Sequence, residues 1–434
     1  MRMHVQMENL EIAERISSHM PTRREAGLPN ETFVFCCFNN NCKVTAPYFR
    51  KSPFVWCQPH SKRCAMPMRK LLVVILVNML LTAVLLEVGL QLINLVSKKV
   101  LQPPTTWEEY FLRSYMETGT LVYAGIHQPH PTRGWSMKPS ANSATSPDIH
   151  YTTNRQGYRA LYDFANKPDK YQVLIVGDSY TFGDDIDDQY TWPHLLQQQN
   201  AKLNIFNMGG TGYGTDQMLI TLQEEISAYK PDLVIAAFIG NDLYRATLPF
   251  RDYKKPRFLL SRSGELYLTN TPVGNIPEVI NEIVDKGSFS YSPIQTINLF
   301  NILTHQLTPV QQPACNCACG QLNTAIFLKM QQLTSVHNAE FLMIYLPRGI
   351  EIHKSEGTSD GEIFFEHYRT EHPGNYLNPR RQFLDATFEK VRGHYHKNET
   401  TLLSQLVMQK IASLKSWQCK QDRNAECKPA IANP

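Results

Sequence analysis

A chain of 434 residues with 43 Lys and Arg against 39 Asp and Glu has a formal net charge of only +4, too small a bias to form a nucleic-acid-binding footprint. Its 42% hydrophobic content, without internal repeats or low-complexity tracts, is that of an ordinary globular protein with one membrane span. Ten cysteines divide evenly around that span, so the two halves need separate redox arguments.

Residues 1–65 hold Cys36, Cys37, Cys42, Cys57 and Cys64, whose spacing matches no closed tetrahedral zinc signature. Within residues 22–48 the piece RREAGLPNETFVFCCFNNNCKVTAPY resembles a fragment of the catalytic region of O-linked N-acetylglucosamine transferases. It is too short to hold a nucleotide sugar, since such a fold needs more than about a hundred residues to build its core. The segment reads as a cytoplasmic extension, a fusion remnant or a mis-assigned start, with Met66 or Met68 opening an anchor. A cytoplasmic zinc site is the competing idea.

Residues 71–96, LLVVILVNMLLTAVLLEVGLQLINLV, are long and apolar enough to cross a bilayer and define a transmembrane anchor over 66–99. Lys62, Arg63, Arg69 and Lys70 precede the span, while only Lys98 and Lys99 follow closely. The positive-inside rule then puts the amino end in the cytoplasm and the remainder outside, in the periplasm of a Gram-negative inner membrane. No small-residue cleavage site follows the apolar run. Glu87, Asn78 and Asn94 raise the question of helix partners within the membrane. Residues 100–165, with scattered prolines, read as a linker and lead-in that packs on a sheet.

The domain core is expected over 166–415. Val173 to Val176 form a buried strand, and Gly177 lets the chain turn sharply so that Asp178 sets the turn and Ser179 is presented at the sheet edge. LNIFNMGGTGYG at 203–214 is a second strand ending in a glycine-rich turn, and DLVIAAFIGND at 232–242 a third ending in Gly240-Asn241-Asp242. In an open parallel sheet ligands bind beyond the carboxyl ends of strands, so the three polar tips converge. The chemistry this suggests is attack by Ser179 on an acyl carbon, with Ser179 N–H, Gly212 N–H and the Asn241 amide donating to the oxyanion.

These blocks resemble the SGNH family of GDSL-type hydrolases: Ser179 in GDSY, Gly212 five residues after Asn207, and Asn241 in GND. The likeness extends through TTNRQGYRA at 152–160, TFGDDIDDQYTWPHLL after the serine and KPDLVIAAF, covering residues 125–245 well and the rest thinly. It implies a flavodoxin-like three-layer α/β/α fold with a mostly parallel sheet, preceded by one transmembrane helix.

The fourth block departs from the pattern. Membrane-anchored relatives resemble D-G-H-x-N-x-x-G followed by an amphipathic helix, with His as general base and Asp orienting it. This chain reads Arg392-Gly393-His394-Tyr395-His396-Lys397-Asn398-Glu399, then Leu402, Leu403, Leu406, Val407, Ile411 and Leu414 at helical spacing. His394 is the base by position. Arginine cannot orient an imidazole as an acid does, which leaves an acid from elsewhere (Asp385 or Glu389), a Ser-His dyad, or an impaired protein. His372, in Glu371-His372-Pro373, is a second-ranked histidine.

Residues 246–315 interrupt the α/β pattern as an insertion expected to cover the active-site edge. Leu322–Leu333 then read as a helix, Glu340–Leu346 as a strand and Phe383–Val391 as the approach to the histidine, ahead of a tail at 416–434. Disulfides are the default for Cys315, Cys317, Cys319, Cys419 and Cys427 outside the membrane, with a soft-metal C-x-C-x-C cluster as the alternative. The resemblance implies a serine esterase, without cofactor or metal, acting on O-acyl groups of cell-envelope carbohydrate. The alternatives are an envelope polysaccharide O-acyltransferase, or a degenerate member that binds glycan or an integral-membrane acyltransferase partner.

Overall fold

The computed structural model describes residues 67–97, 106–119, 121, 126–146, 148–286, 296–297, 299–300, 317–352, 359–386 and 393–421. Chain contacts divide it into Met1–Lys70 and Leu71–Pro434, and residues 1–66, with their five cysteines, lie outside the described residues. In chain order come α1 (Met68–Ser97), α2 (Trp107–Thr118), β1 (His127–His130), β2 (Gly134–Met137), β3 (Asn142–Ser146), β4 (Ile149–Thr152), β5 (Tyr171–Gly177), α3 (Ser179–Phe182), α4 (Trp192–Gln199), β6 (Leu203–Gly209), α5 (Thr215–Tyr229), β7 (Leu233–Phe238) and α6 (Gly240–Arg245). There follow β8 (Phe250–Arg251), β9 (Tyr253–Lys254), β10 (Arg257–Leu260), β11 (Leu266–Thr269), α7 (Ile276–Asp285), α8 (Cys317–Val336), β12 (Glu340–Tyr345), α9 (Gly349–Ile352), α10 (Asp360–Glu371), β13 (Asn375–Leu377), α11 (Arg380–Asp385), α12 (Lys397–Ala412) and α13 (Lys415–Gln421).

Five parallel strands form the central sheet in the order β13-β12-β7-β5-β6. Counted along the chain this is the flavodoxin-like 2-1-3-4-5 arrangement, whose switch point falls between β5 and β7. Those strands deliver Ser179 and Asn241. Every residue of β5, β6 and β7 is buried, as expected of a sheet covered on both faces. The two-residue period sends Leu174, Val176, Val234 and Met343 into one core against α5, α8 and α10. Val173, Ile175, Ile235 and Leu342 enter the other, against α4 and α12, so the domain has three layers.

Glycine-177 is required by close approach: a Cβ there would lie 2.1 Å from Thr181 Oγ1 and 2.9 Å from the Ala237 carbonyl. The expected helices and strand after the insertion appear as α8, β12 and α12. The lead-in folds as α2 and two antiparallel hairpins, β1–β2 and β3–β4, and the described part of the insertion as hairpins β8–β9 and β10–β11 followed by α7.

Helix α1 has a stretch, Met68–Ile93, of mean hydropathy 2.7, long and apolar enough to cross a membrane. Cys319 and Cys419 are both held in disulfides, which withdraws the Cys319 thiolate from any soft-metal set.

Insertion and core are joined by an ion pair. Lys255 Nζ donates to Asp216 Oδ2 with both side chains fully buried, and also reaches the carbonyls of Arg245 at 3.1 Å and Leu248 at 3.3 Å. Lys255→Ala leaves the Asp216 carboxylate buried and unpaired, and denaturant unfolding of the purified protein is expected to show a loss of about 3–5 kcal/mol. A loss below about 1 kcal/mol would contradict this account of the pair.

Candidate active site

Ser179 is the first residue of α3, immediately beyond β5, with its side chain buried. Asp178 caps that turn: its Oδ1 accepts from Tyr180 N–H at 3.0 Å, while Ser179 Oγ lies 3.4 Å from its Oδ2. Burial pushes the Asp178 carboxyl up, and Arg245, whose Nη1 is 3.4 Å from Asp178 Oδ2 and 2.7 Å from Asp242 Oδ1, opposes that shift. Asp242 also accepts from Ile239 N–H at 2.9 Å, so both carboxylates under the serine are hydrogen-bonded.

The structure brings His394 to this serine. His394 Nε2 is 2.8 Å from Ser179 Oγ, and its Nδ1 is 2.7 Å from Asp185 Oδ2. An ionised carboxylate only accepts, so Nδ1 carries the proton and Nε2 is left to accept from the serine hydroxyl. Tyr180 supports the histidine loop: its hydroxyl donates to the Gly393 carbonyl at 3.0 Å and its ring centroid is 4.9 Å from that of His394.

The carboxylate bonded to His394 is therefore Asp185, where the sequence had pointed to Asp385. Asp385 is exposed at the end of α11 without a bond to His394, whose Nδ1 is already taken. Glu389 and Arg392 lie outside the described residues. Asp185 stands six residues after the nucleophile, on the loop that follows α3, with a positive φ of 63°. Its one legible signal was the acidic run in TFGDDIDDQY, which says nothing about which carboxylate faces the distant histidine. His372 is not at this site; it caps the end of α10, its ring 4.5 Å from that of Tyr368.

Gly212 occupies the turn after β6 with φ 76°, in the region that favours glycine. Among the described residues neither its N–H nor that of Ser179 has a hydrogen-bond partner within the protein. Asn241 is the second residue of α6, and Arg348 Nη1 donates to its Oδ1 at 2.9 Å, so its amide N–H groups are left for another acceptor. Arg348 was not legible as a site residue; it extends from the end of β12 and is held by Glu351 at 2.7 Å.

Electrostatically, burial pulls the His394 imidazole down, but the hydrogen bond to Asp185 and the charges of Asp184, Asp185 and Asp178 outweigh it, and the net displacement is upward from 6.5. The hydrogen bond to His394 holds Asp185 below the usual carboxylate range, whereas burial pushes neighbouring Asp184 up to about 6.

Residues 173–339 match the family model described as GDSL-like Lipase/Acylhydrolase; Ser179, Gly212 and Asn241 fall inside the matched segment, His394 outside it. That segment is similar to the GDSL-like lipases and acylhydrolases, a likeness that supports hydrolysis of ester bonds. Among solved structures it is similar to a member of the lipolytic protein G-D-S-L family from Veillonella parvula DSM 2008, at 11% identity over 56% of this chain and 99% of that one, TM-score 0.34. It is also similar to the psychrotrophic esterase EstA from Pseudoalteromonas sp., at 10% identity over 56% and 100%, TM-score 0.32. A third is Axe2, an acetylxylan esterase from Geobacillus stearothermophilus, at 12% identity over 57% and 95%, TM-score 0.33. No curated protein matches.

In an NMR titration the His394 ring is expected to have a midpoint above 6.5. Asp185→Asn removes the largest upward contribution and is expected to lower that midpoint; an unmoved midpoint would disprove the assigned partner.

Proposed function

We propose that the protein cleaves O-acyl esters through an acyl-enzyme on Ser179, with His394 as general base and Asp185 as its orienting acid. The observation that carries this is the unbroken hydrogen-bond chain from Ser179 Oγ to His394 Nε2 at 2.8 Å and from Nδ1 to Asp185 at 2.7 Å. As Ser179 Oγ attacks the acyl carbon, Nε2 takes its proton, and the Asp185 carboxylate stabilises the imidazolium. The Ser179 and Gly212 N–H groups and the Asn241 amide donate to the tetrahedral oxyanion. Nε2 then returns the proton to the departing alcohol oxygen, and a water activated by the same nitrogen hydrolyses the acyl-enzyme.

The substrate in this reading is an acylated carbohydrate of the cell envelope. One feature supports it: α1 is suited to anchoring the domain at an inner membrane with its carboxyl side in the periplasm, by the positive-inside rule. A sugar hydroxyl in place of water as acceptor would turn the same acyl-enzyme to transfer.

The test is burst hydrolysis of an aryl acetate by the whole protein, with and without polysaccharide. Ser179→Ala and His394→Ala are expected to abolish the burst, and Asp185→Asn to lower kcat by on the order of 10³ to 10⁴, while Asp385→Asn stays near wild type. Turnover raised by added polysaccharide would favour transfer, and full activity in Ser179→Ala would end the reading.

A further inference from the structure

We infer that Trp135 is a positioning residue that sets the peptide between Thr211 and Gly212 so that the Gly212 N–H serves the oxyanion; this rests on Ser179 being the nucleophile. A trans peptide is planar, with its C=O and N–H directed oppositely. Trp135, in β2 and buried, donates from Nε1 to the Thr211 carbonyl at 2.9 Å. The Gly212 N–H belongs to that same peptide and therefore points away from the indole, and among the described residues nothing in the protein accepts it.

Glycines 209, 210 and 212 leave the turn free to adopt the flipped peptide, in which the carbonyl would replace the donor. The indole prevents this because it has a donor and no acceptor: a flip would strip a buried N–H of its partner and bring two donors face to face. The clamp is itself fixed to the turn. Tyr213 Oη donates to the Trp135 carbonyl at 2.7 Å, and the two rings meet edge to face with centroids 5.7 Å apart. The flanking groups are held as well, Thr211 Oγ1 donating to Asp184 at 3.1 Å and Arg251 Nη1 to the Gly212 carbonyl at 3.0 Å. Trp135 comes from the lead-in and Arg251 from the insertion, so both segments outside the α/β pattern converge on one catalytic peptide.

The experiment compares the whole protein with Trp135→Phe, which keeps an aromatic ring and removes the donor. Labelling of Ser179 by a fluorophosphonate is measured first: an unlabelled wild type overturns the nucleophile assignment itself, independently of Trp135. With labelling present, kcat is expected to fall about ten- to a hundredfold, part of what losing a whole oxyanion donor costs. KM and the pH inflection are expected to stay in place, since His394 and Asp185 are untouched, and affinity for an arylboronic acid, whose tetrahedral adduct presents an oxygen where the oxyanion forms, should fall by the same factor. Wild-type kcat, or a loss confined to KM, overturns the inference. Should Trp135→Phe fail to fold, replacing Trp135 by 3-benzothienyl-alanine exchanges N–H for sulfur in the same outline, with the same expectations and the same refuting result.

Discussion

The interaction on which the catalytic edge depends is the buried guanidinium of Arg159. Its Nε donates to Asp188 at 2.8 Å, Nη1 to the carbonyls of Phe182 and Gly183, and Nη2 to those of His150 at 2.9 Å and Ile186 at 2.6 Å. The plane lies over the rings of Tyr151 at 4.3 Å and Phe182 at 4.9 Å. Three of these bonds satisfy backbone carbonyls of the loop 182–188, a fourth holds its Asp188 carboxylate and the last ties it to His150 of β4, so the segment that carries Asp185 is fixed without regular secondary structure. Asp185 itself is exposed, and its own N–H donates to the Tyr151 hydroxyl at 2.8 Å. The bond to His394 and its exposed position let Asp185 stay ionised while it fixes the imidazole.

Charge around the serine follows from the same economy of burial. Three carboxylates, Asp178, Asp184 and Asp242, are buried close to the reacting groups, and each has a hydrogen-bond donor assigned to it. The negative field of Asp184 and Asp178 acts on His394 together with Asp185, favouring its imidazolium form. Arg245 keeps the pair beneath the serine from being an uncompensated charge.

The segments that interrupt the α/β pattern have a function in this economy. Both the lead-in and the insertion contribute side chains that grip the glycine-rich turn after β6, through Trp135 and Arg251. A turn rich in glycine approaches the serine closely but has little conformational preference of its own, so its geometry must be imposed by neighbours.

How much of this was legible depended on sequence distance. The buried strand 173–176, the glycine that no Cβ could replace, the order of the Ser179, Gly212 and Asn241 blocks and the amphipathic helix after His394 are all local patterns, and local patterns are dictated by periodicity and backbone sterics. They sufficed for the three-layer fold, for the histidine that meets the serine and for the apolar span. The carboxylate that meets His394 was not legible: Asp184, Asp185, Asp187 and Asp188 are chemically alike in sequence, as is Asp385, and only packing decides which of them faces the imidazole. Nor could the sequence indicate that Arg159, Trp135 and Arg348 converge on the site, because each acts across 20 or more residues through a single directional hydrogen bond. Such bonds need distances near 3 Å and aligned donors, and only the folded chain supplies that alignment.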